Sequence, residues 1–165
     1  MKFYTGIGSR NTPADELEKL TKIAAHLEWL GYILRSGGAE GADTAFEMGV
    51  SRPDMKVILR PKHSTKESEE VASQIHPMWS ACNDYARKLH GRNVQLILGQ
   101  NLDSPSEFIV AWTYDGKNRG GTRTGLVLAQ QRNIPTFNLA DRNDCIKFGA
   151  FLVTLRKPID TANNA

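Results

Sequence analysis

The chain is poor in the features that assign a protein quickly. It has two cysteines, Cys82 and Cys145, far apart and in no Cys-x-x-Cys pair. That excludes a dense disulfide framework and leaves two free thiols, the state expected in a reducing compartment. No apolar run approaches the roughly 20 residues that a membrane span needs. The N-terminus runs from Met1-Lys2-Phe3-Tyr4 straight into a strand-like segment, without a signal-peptide pattern. A cytoplasmic protein with no membrane partner is therefore expected. The histidines His26, His63, His76 and His90 form no His-x-x-x-His or His-Glu-x-x-His group. A zinc site built from His63, His76, Cys82 and His90 can be imagined, but no motif favours it and no metal is expected.

Standard nucleotide and hydrolase signatures are missing too. No Gly-x-x-x-x-Gly-Lys-Ser/Thr loop is present, which argues against a standard ATPase. Gly6 and Gly8 begin a Gly-x-Gly-x-x-Gly pattern, but Asn11 holds the third position, so NAD binding is weakened. A Gly-x-Ser-x-Gly nucleophile elbow is absent. The net charge of +3 suits an anionic ligand but is too small to argue for nucleic acid by itself. With 165 residues, 40% apolar and 24% charged, the composition fits one globular domain with a real core.

What the chain does have is three glycine-rich turns. They read Thr5-Gly6-Ile7-Gly8-Ser9-Arg10, Ser36-Gly37-Gly38-Ala39-Glu40-Gly41-Ala42-Asp43 and Gly120-Gly121-Thr122-Arg123-Thr124-Gly125. Each follows an apolar run and precedes a helical pattern. Phe3 to Ile7, Tyr32 to Leu34, Met55 to Leu59, Phe108 to Trp112 and Pro135 to Asn138 read as strands. Thr12-Pro13 reads as a helix start, with Thr12 as cap, and Gly31 as that helix's end. Ala42 to Gly49, Thr124 to Arg132 and Asp141 to Leu155 read as helices. Thr65 to His90 looks helical with a break at Pro77. Periodicity does not decide between helix and strand for Arg92 to Gln100. Strands alternating with helices predict an α/β fold with a mostly parallel sheet covered on both faces.

All three turns then fall at carboxyl ends of strands, where ligands bind in such sheets. Glycine lets the backbone approach an anion, and helix N-termini offer unpaired N–H groups. A phosphate-bearing, nucleotide-like ligand is expected there. Gly8, Ser9 and Arg10 are candidates from the first turn, Arg10 as a bidentate partner. Ser36, Gly37, Gly38 and Gly41 are candidates from the second. Asp43 either caps its helix or accepts hydrogen bonds from a ribose. Gly120, Gly121, Thr122 and Thr124 are candidates from the third, flanked by Lys117, Arg119 and Arg123. Trp112 and Tyr114 are candidate walls. Trp79, Tyr85, Arg87, Arg92 and Asn93 mix aromatic with basic and amide groups, as a base-stacking surface does, although helical aromatics can equally be core. Glu40, Asp43 and Asp115 are weak candidates for an acid or base, each with an ordinary structural reading beside it.

The order Gly-x-Gly-Ser-Arg, then Ser-Gly-Gly-Ala-x-Gly-Ala-Asp, then Gly-Gly-Thr before an apolar helix and Ile-Pro resembles the SLOG superfamily. That group includes the DNA-processing protein A (DprA/Smf) domains and the LOG nucleoside-monophosphate hydrolases. The likeness spans roughly residues 3 to 140 and extends to small stand-alone members from bacteria and their phages. The resemblance implies a Rossmann-like three-layer sandwich over residues 1–158, with a flexible tail over 159–165. It implies binding of a nucleotide, a nucleotide-derived ligand or single-stranded DNA at the strand ends. A homo-oligomer is expected, because copies of this fold class commonly pair. LOG hydrolases carry a Pro-Gly-Gly-x-Gly-Thr-x-x-Glu stretch with a catalytic glutamate. Gly125 occupies that glutamate's place here, so nucleoside-monophosphate hydrolysis is the alternative activity.

Overall fold

The computed structural model describes residues 1–118 and 120–156. Arg119 and the expected tail over 159–165 lie outside the described residues. Strands and helices alternate as β1 (Lys2–Gly8), α1 (Ala14–Trp29), β2 (Tyr32–Ser36), α2 (Ala42–Gly49) and β3 (Lys56–Ile58). The chain continues as α3 (Lys66–Ser73), α4 (Asp84–Leu98), β4 (Phe108–Trp112), α5 (Arg123–Gln131), β5 (Thr136–Asn138) and α6 (Arg142–Thr154). No described helix is long and apolar enough to cross a membrane.

The five strands form one sheet in the order β3-β2-β1-β4-β5, and every pairing is parallel. The chain builds outward from β1 to β3, then returns to lay β4 on the other side of β1. Strand order therefore reverses between β1 and β4, where Gly8 pairs with Trp112. A crevice opens at the carboxyl ends of strands at such a switch point.

The period-two alternation of strand side chains makes two cores. Tyr4, Phe108, Val110 and Trp112 face one way, against Leu20, Leu27, Phe46 and Phe148 of α1, α2 and α6. Ile7, Ile109 and Ala111 face the other, against Ala72, Ile97 and Leu126 of α3, α4 and α5. Tyr4 stacks on Phe108 with ring centroids 5.6 Å apart. The result is the three-layer Rossmann-like sandwich, with the sheet wholly parallel.

Two local expectations change. Thr12 does not cap α1: Pro13 holds the cap position, and the Thr12 hydroxyl donates to the Ser9 carbonyl at 2.7 Å. Closing the first glycine turn takes the side chain that capping would have used. The break near Pro77 is also wider than expected. It runs from the end of α3 to Asn83, which caps α4 by accepting from the Ala86 N–H at 2.8 Å. Only a single 3-10 turn, Trp79–Ala81, lies within it. The undecided stretch from Arg92 is the second half of α4.

Candidate functional site

Three strand ends meet at one pocket of about 270 Å³, lined by residues of all three glycine turns and of α4. The first turn supplies Gly8, Ser9 and Arg10. The second supplies Ala39 and Asp43, the third Gly120, Gly121 and Thr122, and α4 supplies Leu89, Arg92 and Asn93. Thr113 and Tyr114, just beyond β4, complete the rim.

Asp43 joins the first turn to the second. It sits in the first turn of α2, and its carboxylate accepts from the Gly8 N–H at 3.2 Å and the Ala39 N–H at 3.3 Å. Burial pushes its carboxyl up to about 6, against the pull of the Ala39 N–H, the Arg92 guanidinium and the Gly8 and Gly37 N–H groups. Its side chain makes no cap bond to α2. Asp43 is thus neither the helix cap nor an uncommitted ribose acceptor; it staples two loops.

Arg92 and Asn93 join the second turn to the third. The Arg92 guanidinium donates to the carbonyls of Gly37 and Leu59, each at 2.8 Å, and to Asn93 Oδ1 at 3.0 Å. The Asn93 amide donates in turn to the Gly121 carbonyl. Burial lowers the Arg92 pKa, and the positive charges of Arg60 and Arg10 push the same way while Asp43 opposes them. Arg10 itself is exposed and makes no ion pair among the described residues. Two cations and one carboxylate thus line one small pocket, a net positive arrangement that an anion relieves.

Several candidates lie elsewhere, each for a physical reason. Ser36 is fully buried and donates its hydroxyl to the Gly6 carbonyl at 2.6 Å. Gly37 packs under the Arg92 guanidinium and Gly38 under that of Arg60, so neither lines the pocket. Gly41 and Glu40 line a separate cleft beside α1. Trp112 shares the inward parity of Phe108 and Val110 and packs into the core. Tyr114, 67% exposed, is the aromatic at the rim. Thr124 is buried, with its hydroxyl on His90 Nδ1 at 2.9 Å. Asp115 is exposed in a 3-10 turn and does not line the pocket.

The imagined stacking surface divides in two. Arg92 and Asn93 turn inward to the pocket, while Arg87 lies over the Trp79 ring at 5.3 Å away from it. The sequence candidates omit Ile7 and Leu96, which line the pocket from strand and helix positions that read as core, and also Ala39, Leu89 and Thr113. Of the latter three only Thr113 adjoins a predicted strand end, the one signal that points to it. Of the four residues of the imagined zinc set, His76, Cys82 and His90 come together, with ligand atoms all within 4.8 Å of one another. His63 is engaged differently: its Nδ1 accepts from the Arg60 N–H at 2.8 Å.

No model of a known protein family matches the chain, and no curated protein matches it. Among solved structures, the chain is similar to DNA processing protein A from Helicobacter pylori, described for its single-stranded DNA binding mode. The TM-score is 0.55 at 19% sequence identity, and the match covers 83% of this chain and 64% of that one. The likeness is one of fold: this chain has a DprA-like, Rossmann-like architecture.

Proposed function

We propose that the protein binds single-stranded DNA, with a backbone phosphate seated in the strand-end pocket. The observation that carries this reading is the convergence of Arg10 and Arg92 with the open third turn on one pocket. Arg10 supplies an exposed guanidinium with no ion pair among the described residues, and Arg92 a buried one already fixed by backbone carbonyls. The N-terminus of α5 follows directly from Gly121 and Thr122 and adds the positive end of its dipole. Tyr114 at the rim offers a face on which a base stacks. A related fold that binds single-stranded DNA supports the same choice of ligand.

A free nucleotide is the second reading, favoured by the small volume of the pocket. N-glycosidic hydrolysis has less support. Gly125 packs against Ile97 and the Asn93 carbonyl where a catalytic glutamate would stand, and neither Glu40 nor Asp115 lines the pocket. Asp43 does line it, with its carboxylate engaged by the Gly8 and Ala39 N–H groups.

Fluorescence anisotropy with a labelled oligothymidylate, titrated at several salt concentrations, tests the proposal. Binding at low salt should weaken steeply as salt rises, with a log–log slope of about −0.7 per phosphate contacted. Tyr114→Ala should weaken it severalfold. No binding at low salt, or a response flat in salt, would overturn it. Thermal shift with a panel of mono- and dinucleotides then decides the second reading.

A further inference from the structure

We propose that His76, Cys82 and His90 form a zinc-binding site that ties the α3–α4 connection to α4. One imidazole and the thiol come from that connection; the other imidazole comes from the second turn of α4. Cys82 Sγ lies 3.8 Å from His76 Nδ1 and 3.9 Å from its Nε2. The two imidazole rings are 4.4 Å apart between centroids. Tetrahedral Zn²⁺ with ordinary Zn–S and Zn–N bonds sets its ligand atoms roughly 3.3–3.6 Å apart. Ligand atoms within 4.8 Å of one another therefore need only a small inward shift. Two imidazoles and a thiolate are a donor set that suits zinc far better than magnesium or calcium.

The surroundings fit the same role. His90 Nδ1 is paired with the Thr124 hydroxyl at 2.9 Å. In the tautomer whose Nδ1–H donates to Thr124, Nε2 is left as the nitrogen for a metal, as outer-shell partners of ligating histidines arrange. His76 Nδ1 accepts from the Met78 N–H at 3.1 Å. A cation takes that lone pair in place of the N–H, and Nε2 keeps its proton. Cys82 loses its thiol proton to solvent on binding, so affinity rises with pH. No fourth His, Cys, Asp or Glu joins the group among the described residues, so water completes the tetrahedron. The set lies outside the strand-end pocket and stands independently of the DNA-binding proposal.

Chelator-treated protein titrated with Co²⁺, then Zn²⁺, tests this. One equivalent of Co²⁺ should give a thiolate-to-metal charge-transfer band that Zn²⁺ bleaches, and Zn²⁺ should raise the melting temperature. Cys82→Ser should abolish the band and weaken binding at least tenfold. Cys145→Ser, which removes an exposed thiol, should leave both unchanged. Thr124→Val should keep the band while lowering affinity about tenfold. Circular dichroism checks that Cys82→Ser remains folded, and His76→Gln serves if it does not. Absence of the band in the parent protein, or its survival in both Cys82→Ser and His76→Gln, would overturn the proposal.

Discussion

The first two glycine turns and the third use the same residue for opposite purposes. At Gly8 an added Cβ would lie 2.4 Å from the Trp112 carbonyl oxygen and 2.7 Å from Ala42 Cβ. At Gly41 it would lie 2.5 Å from the Ser9 carbonyl oxygen, and the backbone has φ of +81°. Protein already fills those spaces. At Gly120, whose φ is +60°, and at Gly121 an added Cβ meets nothing within 4 Å among the described residues. Glycine closes the first two turns against each other and leaves the third open. A glycine-rich strand end is thus two signals, one for packing and one for access.

Replacing Gly41 by alanine is the harshest way to test that difference. The positive φ and the clash with two backbone carbonyls act together. We expect Gly41→Ala to cost about 4 kcal/mol, a large share of a typical domain's stability. Gly8→Ala should cost about 3 kcal/mol, chiefly through contact with backbone. Urea unfolding measures both. A loss below about 1 kcal/mol at each site would mean that these turns yield, and the contrast with the third turn would vanish.

Asp43 holds the two closed turns together, and its titration gives the next largest effect. Its carboxyl titrates at about 6 when folded, against an ordinary value of 3.8. The folded state therefore binds that proton more tightly than the unfolded chain. The stability it contributes is complete below the ordinary value and is lost as pH rises through about 6. The loss should be on the order of 2 kcal/mol between pH 4 and 7. His90, its pKa lowered by burial and by His76, works in the opposite direction in an overlapping range. Subtracting the pH profile of Asp43→Asn from that of the parent isolates the aspartate. Parallel profiles would show that Asp43 is ionised in the folded state without cost.

Much of the frame is legible in the residues alone. Short apolar runs leading into glycine turns mark β1 and β2, an unbroken apolar run marks β4, and alternation with helices predicts a parallel sheet. Arg92 to Gln100 stays ambiguous because the second half of α4 is buried all round. Every residue from His90 to Leu98 is buried, so no polar stripe marks the helical period. Trp112 reads as a wall from its place at a strand end, yet its parity with Phe108 and Val110 aims it at the core. Asp43 escapes assignment because one of its partners, the Gly8 N–H, is 35 positions away. The His76, Cys82 and His90 group follows no motif spacing, since a loop and a helix bring it together only in the fold.

Arg10 separates ligand binding from stability. Its side chain is exposed and makes no ion pair among the described residues, so Arg10→Ala should leave the unfolding midpoint unchanged. Affinity for single-stranded DNA should fall about tenfold, or about 1.4 kcal/mol. The salt slope should shrink by about 0.7, the share of one phosphate contact. Unchanged affinity and slope would move the phosphate away from the first turn.

Gly121→Ala produces the smallest change in the free protein and the most pointed one in the complex. Unlike Gly41, Gly121 does not have a positive φ, so alanine fits its backbone. Less freedom in the unfolded chain should stabilise the variant by about 0.5 kcal/mol. The new methyl touches nothing within 4 Å among the described residues until a ligand arrives. A phosphate drawn in beside the N-terminus of α5 would meet it, so binding should weaken severalfold while stability holds or rises. Opposite signs in the two measurements are what an access glycine requires. If binding is unaffected, the guest does not approach the third turn, and its openness has another cause.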